Sequence, residues 1–323
     1  MKENRVESNL FMKMVDQKQE YDQLIRLSTN VNLTQTWEFG QAKAEAEGLL
    51  VARAAIYAGN RPIAVVQMLG DGNGLSVNRG PVVLSDNWKV DNSFAIQVIE
   101  FLQKYWTQER RTTITVAPNI LETPGVAEQL VAIGLIPTGK GHRLSIRVDL
   151  SKSEEDLRRD LRPNWRRRLS KSERLGLTHE LVNDDASFQY FLKKHAEFQS
   201  EKGFAGLSGS FLLRRRETCN GNQNLNLFFV LRDNKRISAM LFGGFFDTYH
   251  MLVGWNDAEG RNCDAHNYIY WNALLYSKAQ GYRWFDMGGI DPIMHPTITF
   301  FKRGIGGTEF TIMPEFAAFP AND

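Results

Sequence analysis

The sequence predicts the same order of strands and helices in both halves of the chain. In the first half, apolar runs at 49–57 and 62–69 flank an Ala-Gly-Asn-Arg turn, and a helical pattern at 92–109 precedes a strand at 112–117. In the second half, the hairpin lies at 225–231 and 237–246, the helix at 265–280 and the strand at 283–287. The two sets lie on the order of 170 residues apart, which is about the size of one domain.

This order predicts an α/β protein with mixed sheets in two copies of one domain. The chain has 323 residues, and one domain is expected for roughly every 150. Ser153 followed by three carboxylates has the pattern of a helix start, so we place the boundary just before it, with the first domain at 1–150 and the second at 151–303. Coincidence is the alternative, because α/β units are common.

The composition is that of a folded protein, with 42% hydrophobic and 24% charged residues. The net charge of +2 neither requires nor excludes a nucleic-acid partner. There is no apolar run of about 18 residues, and residues 1–7 lack the apolar core of a signal peptide. We therefore expect a cytoplasmic protein without a transmembrane segment.

Metal and nucleotide motifs are missing from the sequence. Cys219 and Cys263 are too few for a disulfide framework or a zinc site, and no P-loop is present. The histidines are scattered without metal-ligand spacing, and each is predicted to be structural or exposed: His142, His179, His195, His250, His266 and His295. We predict no metal.

The C-terminal region carries the strongest candidate for chemistry. An apolar strand ends in Gly-Gly-Ile-Asp at 288–291, with the carboxylates of Asp286 and Asp291 beside the glycines. The following run, Thr-Phe-Phe-Lys-Arg-Gly-Ile-Gly-Gly at 299–307, places Lys302 between Phe301 and a Gly-rich turn. Backbone can approach a ligand closely at such a turn, so Lys302 is a candidate functional cation. The alternative is a surface lysine at the end of a strand.

The segment from 158 to 174 is strongly basic. Pro163 is predicted to end one helix, and Asn164 to cap a second that runs to Gly176. A solvated helix face is one explanation, but the excess of bases favours a phosphate-rich partner. The bases are Arg158, Arg159, Arg162, Arg166, Arg167, Arg168, Lys171 and Arg174, against Asp160 and Glu173.

Together these motifs resemble the Fem family, the aminoacyl-tRNA-dependent transferases that add amino acids to peptidoglycan precursors. The resemblance rests on Gly-Gly-Ile-Asp, on Phe-Lys-x-Gly around Lys302, on the Trp-Arg segment around Trp165, on Thr-Trp-Glu-Phe-Gly around Trp37 and on the Arg-Gly-Pro that begins at Arg79. It covers nearly the whole chain, in the compact form without a coiled-coil arm. It implies two tandem GNAT-like acyltransferase domains, with the tail at 304–323 returning to the first.

The resemblance also implies roles for individual residues. Lys302 would be catalytic and would stabilise the charge that develops on the carbonyl oxygen or on the departing ribose oxygen. Aminoacyl-tRNA would be a co-substrate, with no cofactor. Unlike many Fem proteins, this chain has no acidic residue beside the proline at 116–119, so no carboxylate is predicted as general base. The predicted substrate-binding residues are Trp37, Arg79, Arg162, Trp165, Arg166, Phe301, Asp286 and Asp291.

The predicted function is transfer of an amino acid from aminoacyl-tRNA to an amine of a UDP-linked or lipid-linked peptidoglycan precursor, with peripheral membrane contact as an open possibility. Three alternatives stay open. One is an N-acyltransferase that uses acyl-CoA, although residues 303–308 match the coenzyme A loop only in part and precede a predicted strand. Another is a tRNA-dependent ligase with a different acceptor, and the last is a non-catalytic binding module. The amino acid, the acceptor and the oligomeric state are not determined by the sequence.

Overall fold

The structure is a computed structural model that describes residues 10–84, 92–140, 143–204, 206–219 and 225–321. Residues 1–7 and His142, which enter the sequence predictions, lie outside this range. The chain divides into two compact units, the first formed by residues 1–143 and 311–323 and the second by residues 144–310. Each unit border lies seven residues from the corresponding predicted boundary. Within the described residues, no helix is long and apolar enough to cross a membrane.

The first unit is built around one mixed sheet. Its strands follow the order β1-β2-β3-β4-β6-β15-β7, with β5 attached to β3. A π-helical turn at Tyr105–Glu109 extends its third helix. The elements are β1 (Leu10–Met14), α1 (Lys18–Ile25), α2 (Trp37–Glu47), β2 (Leu50–Ala58), β3 (Arg61–Gly70), β4 (Leu75–Asn78), β5 (Val82–Val83), α3 (Ser93–Lys104), β6 (Ile114–Ala117), α4 (Val126–Ala132), β7 (Ile136–Pro137) and, from the C-terminal tail, β15 (Phe316–Ala318).

The second unit is built around a seven-stranded sheet of order β14-β8-β13-β12-β11-β10-β9. Two of its strands, β8 at 143–149 and β14 at 308–312, run across the unit borders. The elements are β8 (Arg143–Asp149), α5 (Glu154–Asp160), α6 (Pro163–Arg174), β9 (Thr178–Val182), α7 (Asp185–Lys202), α8 (Gly209–Thr218), β10 (Leu225–Arg232), β11 (Lys235–Phe245), β12 (Thr248–Asn256), α9 (Ala258–Asn262), α10 (Ala265–Ala279), β13 (Trp284–Ile290), α11 (Pro296–Arg303) and β14 (Thr308–Ile312).

The two sheets have the same pattern of strands. Read from the opposite edge, the second sheet is β9-β10-β11-β12-β13-β8-β14, and its sixth strand, β8, comes first in the chain, whereas the sixth strand of the first sheet, β15, comes last. Each sheet contains a parallel pair, β4–β6 in the first and β12–β13 in the second. In the chain, the two strands of each pair are connected through a helix, α3 in the first unit and α10 in the second, as parallel strands need a crossover connection. The prediction of a mixed α/β fold in two tandem copies is therefore confirmed.

Strand β13 is an inner strand of the second sheet, between β8 and β12. Its Phe285 is fully buried, and the Phe285 ring lies 5.8 Å from that of Phe242 on β11 and 6.4 Å from that of Tyr270 on α10. Burying one such aromatic side chain contributes about 1.5–3 kcal/mol. This packing fixes the position of the residues that follow Phe285 on β13.

The parallel pair opens part-way along its length. The register Thr248↔Trp284, Tyr249↔Phe285 and His250↔Asp286 ends at the third pair. Beyond it, β12 continues on the β11 side, while β13 continues on the β8 side with an irregularity between Asp286 and Gly289. The two strands therefore part after His250 and Asp286, and the opening is lined by the ends of β12 and β13.

Candidate active site

Lys302 lies on the short helix α11 beside this opening. The helix begins with Pro296 at its first position, and its buried residues are Thr299 and Lys302, one turn apart on one face. Lys302 is only 6% exposed. The alternative of a surface lysine at the end of a strand is therefore wrong, because the residue is helical and faces inward.

The ammonium of Lys302 is held by backbone. Its Nζ donates a hydrogen bond to the carbonyl of Gly289 at 2.8 Å, and Lys302 forms no ion pair with a carboxylate of the described residues. Burial lowers the pKa of Lys302 to about 8, although the charge of Asp286 acts in the opposite direction. The side chain is thus a desolvated cation near neutral pH.

Asp286 is fixed by three neighbours on three strands. Its Oδ1 accepts hydrogen bonds from Ser145 Oγ at 3.1 Å and from the Gly288 N–H at 2.7 Å, and lies 3.5 Å from Nδ1 of His250. Burial acts to raise the pKa of Asp286, but His250 and the two hydrogen bonds together hold it below its usual value. Asp286 is therefore an ionised anchor rather than a free carboxylate, and a substrate contact stays a prediction.

Gly288 separates Lys302 from His250. The residue has φ +71°, and a Cβ added to it would lie 3.6 Å from Lys302 Nζ and 3.7 Å from His250 Cε1. The missing side chain keeps open the space that both groups face. A buried cation, an imidazole and an ionised carboxylate thus converge from α11, β12 and β13.

His250 is a residue that the sequence predictions missed. It was predicted to be structural or exposed, and no strand was predicted over residues 248–256. The structure places it opposite Asp286 on β12, with its side chain 24% exposed. Its neighbours come from a different strand and helix, so no spacing along the chain reveals the cluster.

Phe301, the residue before Lys302, packs against Trp165. Their ring centroids lie 6.0 Å apart, and the centroids of Phe301 and Tyr270 lie 5.3 Å apart. Trp165 is buried on the first turn of α6. The structure therefore brings Trp165 and Phe301 together, and their contact with substrate stays a prediction.

The Gly-rich turn after Lys302 packs against its own unit. A Cβ added to Gly304 would lie 2.4 Å from Cδ1 of Trp165, and one added to Gly306 would lie 2.3 Å from the carbonyl oxygen of Asp160. Gly306 also has φ +83°. The expectation that this turn lets backbone approach a ligand is corrected, because these glycines admit Trp165 and Asp160 instead.

The basic segment is broken at Pro163 as predicted, but its second helix is capped differently. The N-cap of α6 is Arg162, whereas Asn164 is the second residue of the helix. Pro163 supplies the first residue, for which its fixed φ is suited. The helix ends at Arg174, with Gly176 at φ +67° just beyond it.

Part of the positive charge in this segment is neutralised within the unit. Asp264, distant in sequence, accepts from Arg168 and Lys171 at 2.8 Å each, and Arg158 pairs with Glu173 at 2.6 Å. Arg166 donates to the backbone carbonyls of Arg159 and Leu161. Arg162 and Arg166 are exposed, and neither forms an ion pair with a carboxylate in the described part of the chain.

Asp291 stabilises the turn that leads into α11. Its Oδ1 accepts the N–H groups of Ile293 at 2.9 Å and Met294 at 2.8 Å. These backbone hydrogen bonds lower the pKa of Asp291. The carboxylate supports the approach to the site, and its predicted contact with substrate stays a prediction.

Trp37 and Arg79 lie in the first unit. The guanidinium of Arg53 stacks 3.6 Å above the Trp37 ring at the start of α2. Arg79 is 3% exposed, and its Nη1 donates to the carbonyls of Met313 at 3.2 Å and Pro118 at 3.4 Å. Both side chains have contacts within their own unit, so their substrate contacts stay predictions.

Residues 159–303 match the sequence family described as "Acetyltransferase (GNAT) domain". The match lies within the second unit and contains α6, the parallel pair β12–β13 and α11, and so Lys302, His250 and Asp286. It supports the acyltransferase class predicted from the sequence. No curated protein matches the chain in sequence.

Solved structures share the fold over the whole chain. FemX has a TM-score of 0.79 at 16% identity, covering 96% of this chain and 97% of that one. A tandem GNAT protein from the clavulanic acid biosynthesis pathway has a TM-score of 0.60 at 12% identity, covering 98% and 100%. L-PGS from Bacillus licheniformis has a TM-score of 0.57 at 12% identity, covering 94% and 92%. The predicted resemblance to the Fem proteins is thus confirmed for the fold.

We predict that Gly304→Ala destabilises the protein. The new methyl group would overlap Trp165, and forced overpacking of this kind costs about 1–3 kcal/mol. Gly209→Ala is the matched control, because nothing lies within 4 Å of a Cβ there, and its effect should stay within about 0.5 kcal/mol. Urea unfolding measures both. Equal stability of the two variants would show that Trp165 can move aside.

We predict that Lys302→Met leaves the protein at least as stable at pH 7. The fall of the Lys302 pKa from 10.5 to about 8 corresponds to about 3 kcal/mol against the buried ammonium, partly offset by its hydrogen bond to Gly289, worth about 1 kcal/mol. We expect a gain of up to about 2 kcal/mol from these two contributions.

The pH dependence of stability provides the second part of this measurement. Between about pH 8 and 10.5 the unfolded chain binds the Lys302 proton and the folded chain does not. The unfolding free energy of the wild type should therefore rise across this range relative to that of Lys302→Met. A constant difference from pH 7 to pH 10 would contradict the lowered pKa.

Proposed function

We propose that the protein is an aminoacyltransferase that moves an amino acid from aminoacyl-tRNA to an amine of a peptidoglycan precursor peptide. The observation that carries this proposal is the buried ammonium of Lys302, without a carboxylate partner among the described residues, at the opening between β12 and β13. The GNAT match around Lys302 and the fold shared with FemX support it.

A fixed cation suits the charge that develops in this reaction. The acceptor amine attacks the carbonyl of the aminoacyl ester, and negative charge develops on the carbonyl oxygen. The bond to the ribose oxygen then breaks. Lys302 stabilises the developing charge, and its burial strengthens the interaction because little water competes with it. The ester is already activated, so the reaction needs no cofactor.

An acyl-CoA donor is disfavoured by the turn after Lys302. The glycines at 304–307 lead into β14 instead of a helix, and Gly304 and Gly306 pack against Trp165 and Asp160.

We propose that the residues predicted from the sequence bind the two substrates. Arg162 and Arg166 are exposed near the start of α6 and suit the phosphates of the tRNA, which makes binding weaker at higher salt. Trp165 and Phe301, which pack on each other, are proposed as apolar contacts for the substrate. Trp37 and Arg79 are proposed for the precursor. A reaction that uses aminoacyl-tRNA places the protein in the cytoplasm, at the membrane surface if the acceptor is lipid-linked.

A transfer assay with Lys302→Met tests this function. Mixed radiolabelled aminoacyl-tRNAs are supplied with UDP-MurNAc-pentapeptide or with the lipid-linked precursor as acceptor. We expect label to reach a precursor with the wild type. The Met variant should lower kcat by about 10²–10³-fold, the usual loss when one oxyanion stabiliser is removed.

Lys278→Met is the matched control for this assay. Lys278 also lies in the last turn of a helix and donates to backbone carbonyls, those of Leu150 and Lys152, at 2.8 Å each. It lies beside the start of β13, whereas Gly289 lies near its end. Its variant should keep the wild-type rate. If no precursor is labelled and acyl-CoA is consumed instead, the protein is an acyl-CoA N-acyltransferase.

A further inference from the structure

We propose that His250, oriented by Asp286, accepts the proton of the attacking amine and returns it to the leaving ribose oxygen. The inference rests on the transfer reaction proposed above and adds the proton acceptor that the sequence did not supply. An amine that forms an amide bond must lose a proton, and a positioned side chain accelerates this transfer. The expected position for a carboxylate, at 116–119, holds Asn119, which pairs with Asn30 in the first unit.

The contact with Asp286 fixes which nitrogen of His250 is available. Nδ1 lies 3.5 Å from Oδ1 of Asp286, whose carboxylate is itself held by Ser145 and the Gly288 N–H. A carboxylate at this position favours the proton on Nδ1. The lone pair is then on Nε2, while the contact with Asp286 is made by Nδ1, which leaves Nε2 for the substrate.

His250 and Lys302 face the same small space beside Gly288. Its Cε1 and the Lys302 Nζ both lie within 4 Å of the point where a Gly288 Cβ would be. A carbonyl carbon placed in the opening of the parallel pair would therefore have its oxygen near the ammonium and the attacking nitrogen near the imidazole. Cation and base act on different atoms of one tetrahedral intermediate, which is the arrangement that acyl transfer requires.

Three elements bring groups to His250. The charged ones are Asp286 on β13 and the Lys302 ammonium on α11. From β11 the neighbour is the uncharged ring of Phe245, at 6.4 Å.

The proton balance of the step closes. The nitrogen–carbon bond forms as one N–H proton passes to Nε2 of His250. The carbon–oxygen bond of the ester then breaks, and the ribose oxygen takes the proton from Nε2. The products are an amide and a tRNA with a free hydroxyl, and His250 is neutral again.

The test compares His250→Asn with the control His179→Asn in the transfer assay. His179 is exposed on β9 and takes no part in the site. We expect His250→Asn to lower kcat by about 10²–10⁴-fold, the range for loss of a general base, with little change in KM for either substrate. The fall of the wild-type rate toward acidic pH should be lost in the variant, and His179→Asn should behave as the wild type.

Asp286→Asn tests the positioning role separately. Nitrogen-15 NMR of the histidine rings reports which nitrogen carries the proton, and the His250 signals are identified by their absence in His250→Asn. We expect the Nδ1–H tautomer in the wild type and loss of this preference in Asp286→Asn, together with a lower kcat. A merely structural carboxylate would leave the tautomer unchanged. His250→Gln replaces His250→Asn if that variant does not fold.

The outcomes separate this inference from the proposed function. If the wild type transfers the amino acid and His250→Asn keeps both the rate and the acidic fall, His250 is not the proton acceptor and only this inference is overturned. An Nε2–H tautomer in the wild type also overturns it. If the wild type transfers nothing to any precursor, the proposed function fails and the inference fails with it.

Discussion

The parting of β12 and β13 after His250 and Asp286 is the constraint on which the site depends. Paired strands satisfy each other's backbone groups, so strands that separate must find other partners. At the opening, the carbonyl of Gly289 accepts from Lys302, and the N–H of Gly288 donates to Asp286. The side chains that bond to this backbone, Lys302 and Asp286, are also the ones that could take part in a reaction. The separation of the strands that removes their pairing also creates space for a reacting group.

The buried ammonium of Lys302 lowers the stability of the folded protein. The folded protein holds an ammonium whose pKa is about 8, against 10.5 in the unfolded chain. A supporting layer keeps this arrangement rigid: Phe301 packs on Trp165, and Gly304 admits the Trp165 ring. Such a lysine is at odds with stability and is kept where a desolvated cation is useful.

The two units use the same pattern of strands differently. In the first unit the parallel pair β4–β6 ends at Asn78↔Ala117, and Arg79 is the residue that follows β4. The guanidinium of Arg79 donates to the carbonyls of Pro118 and Met313, so a side chain of the unit itself engages backbone just beyond the pair. At the corresponding position of the second unit, His250, Asp286 and Lys302 line the opening. A shared fold therefore does not give both units the same chemistry.

The sequence by itself determined the repeated hairpin, helix and strand, the helix break at Pro163 and the candidacy of Lys302, because turn residues and hydrophobic periodicity are local signals. Only the tertiary structure decided that Lys302 is helical and buried, that Asp264 neutralises Arg168 and Lys171, and that Gly304 and Gly306 serve packing. It also brought His250 to Asp286, since the register of a parallel pair joins residues 36 positions apart and leaves no periodic trace in the chain.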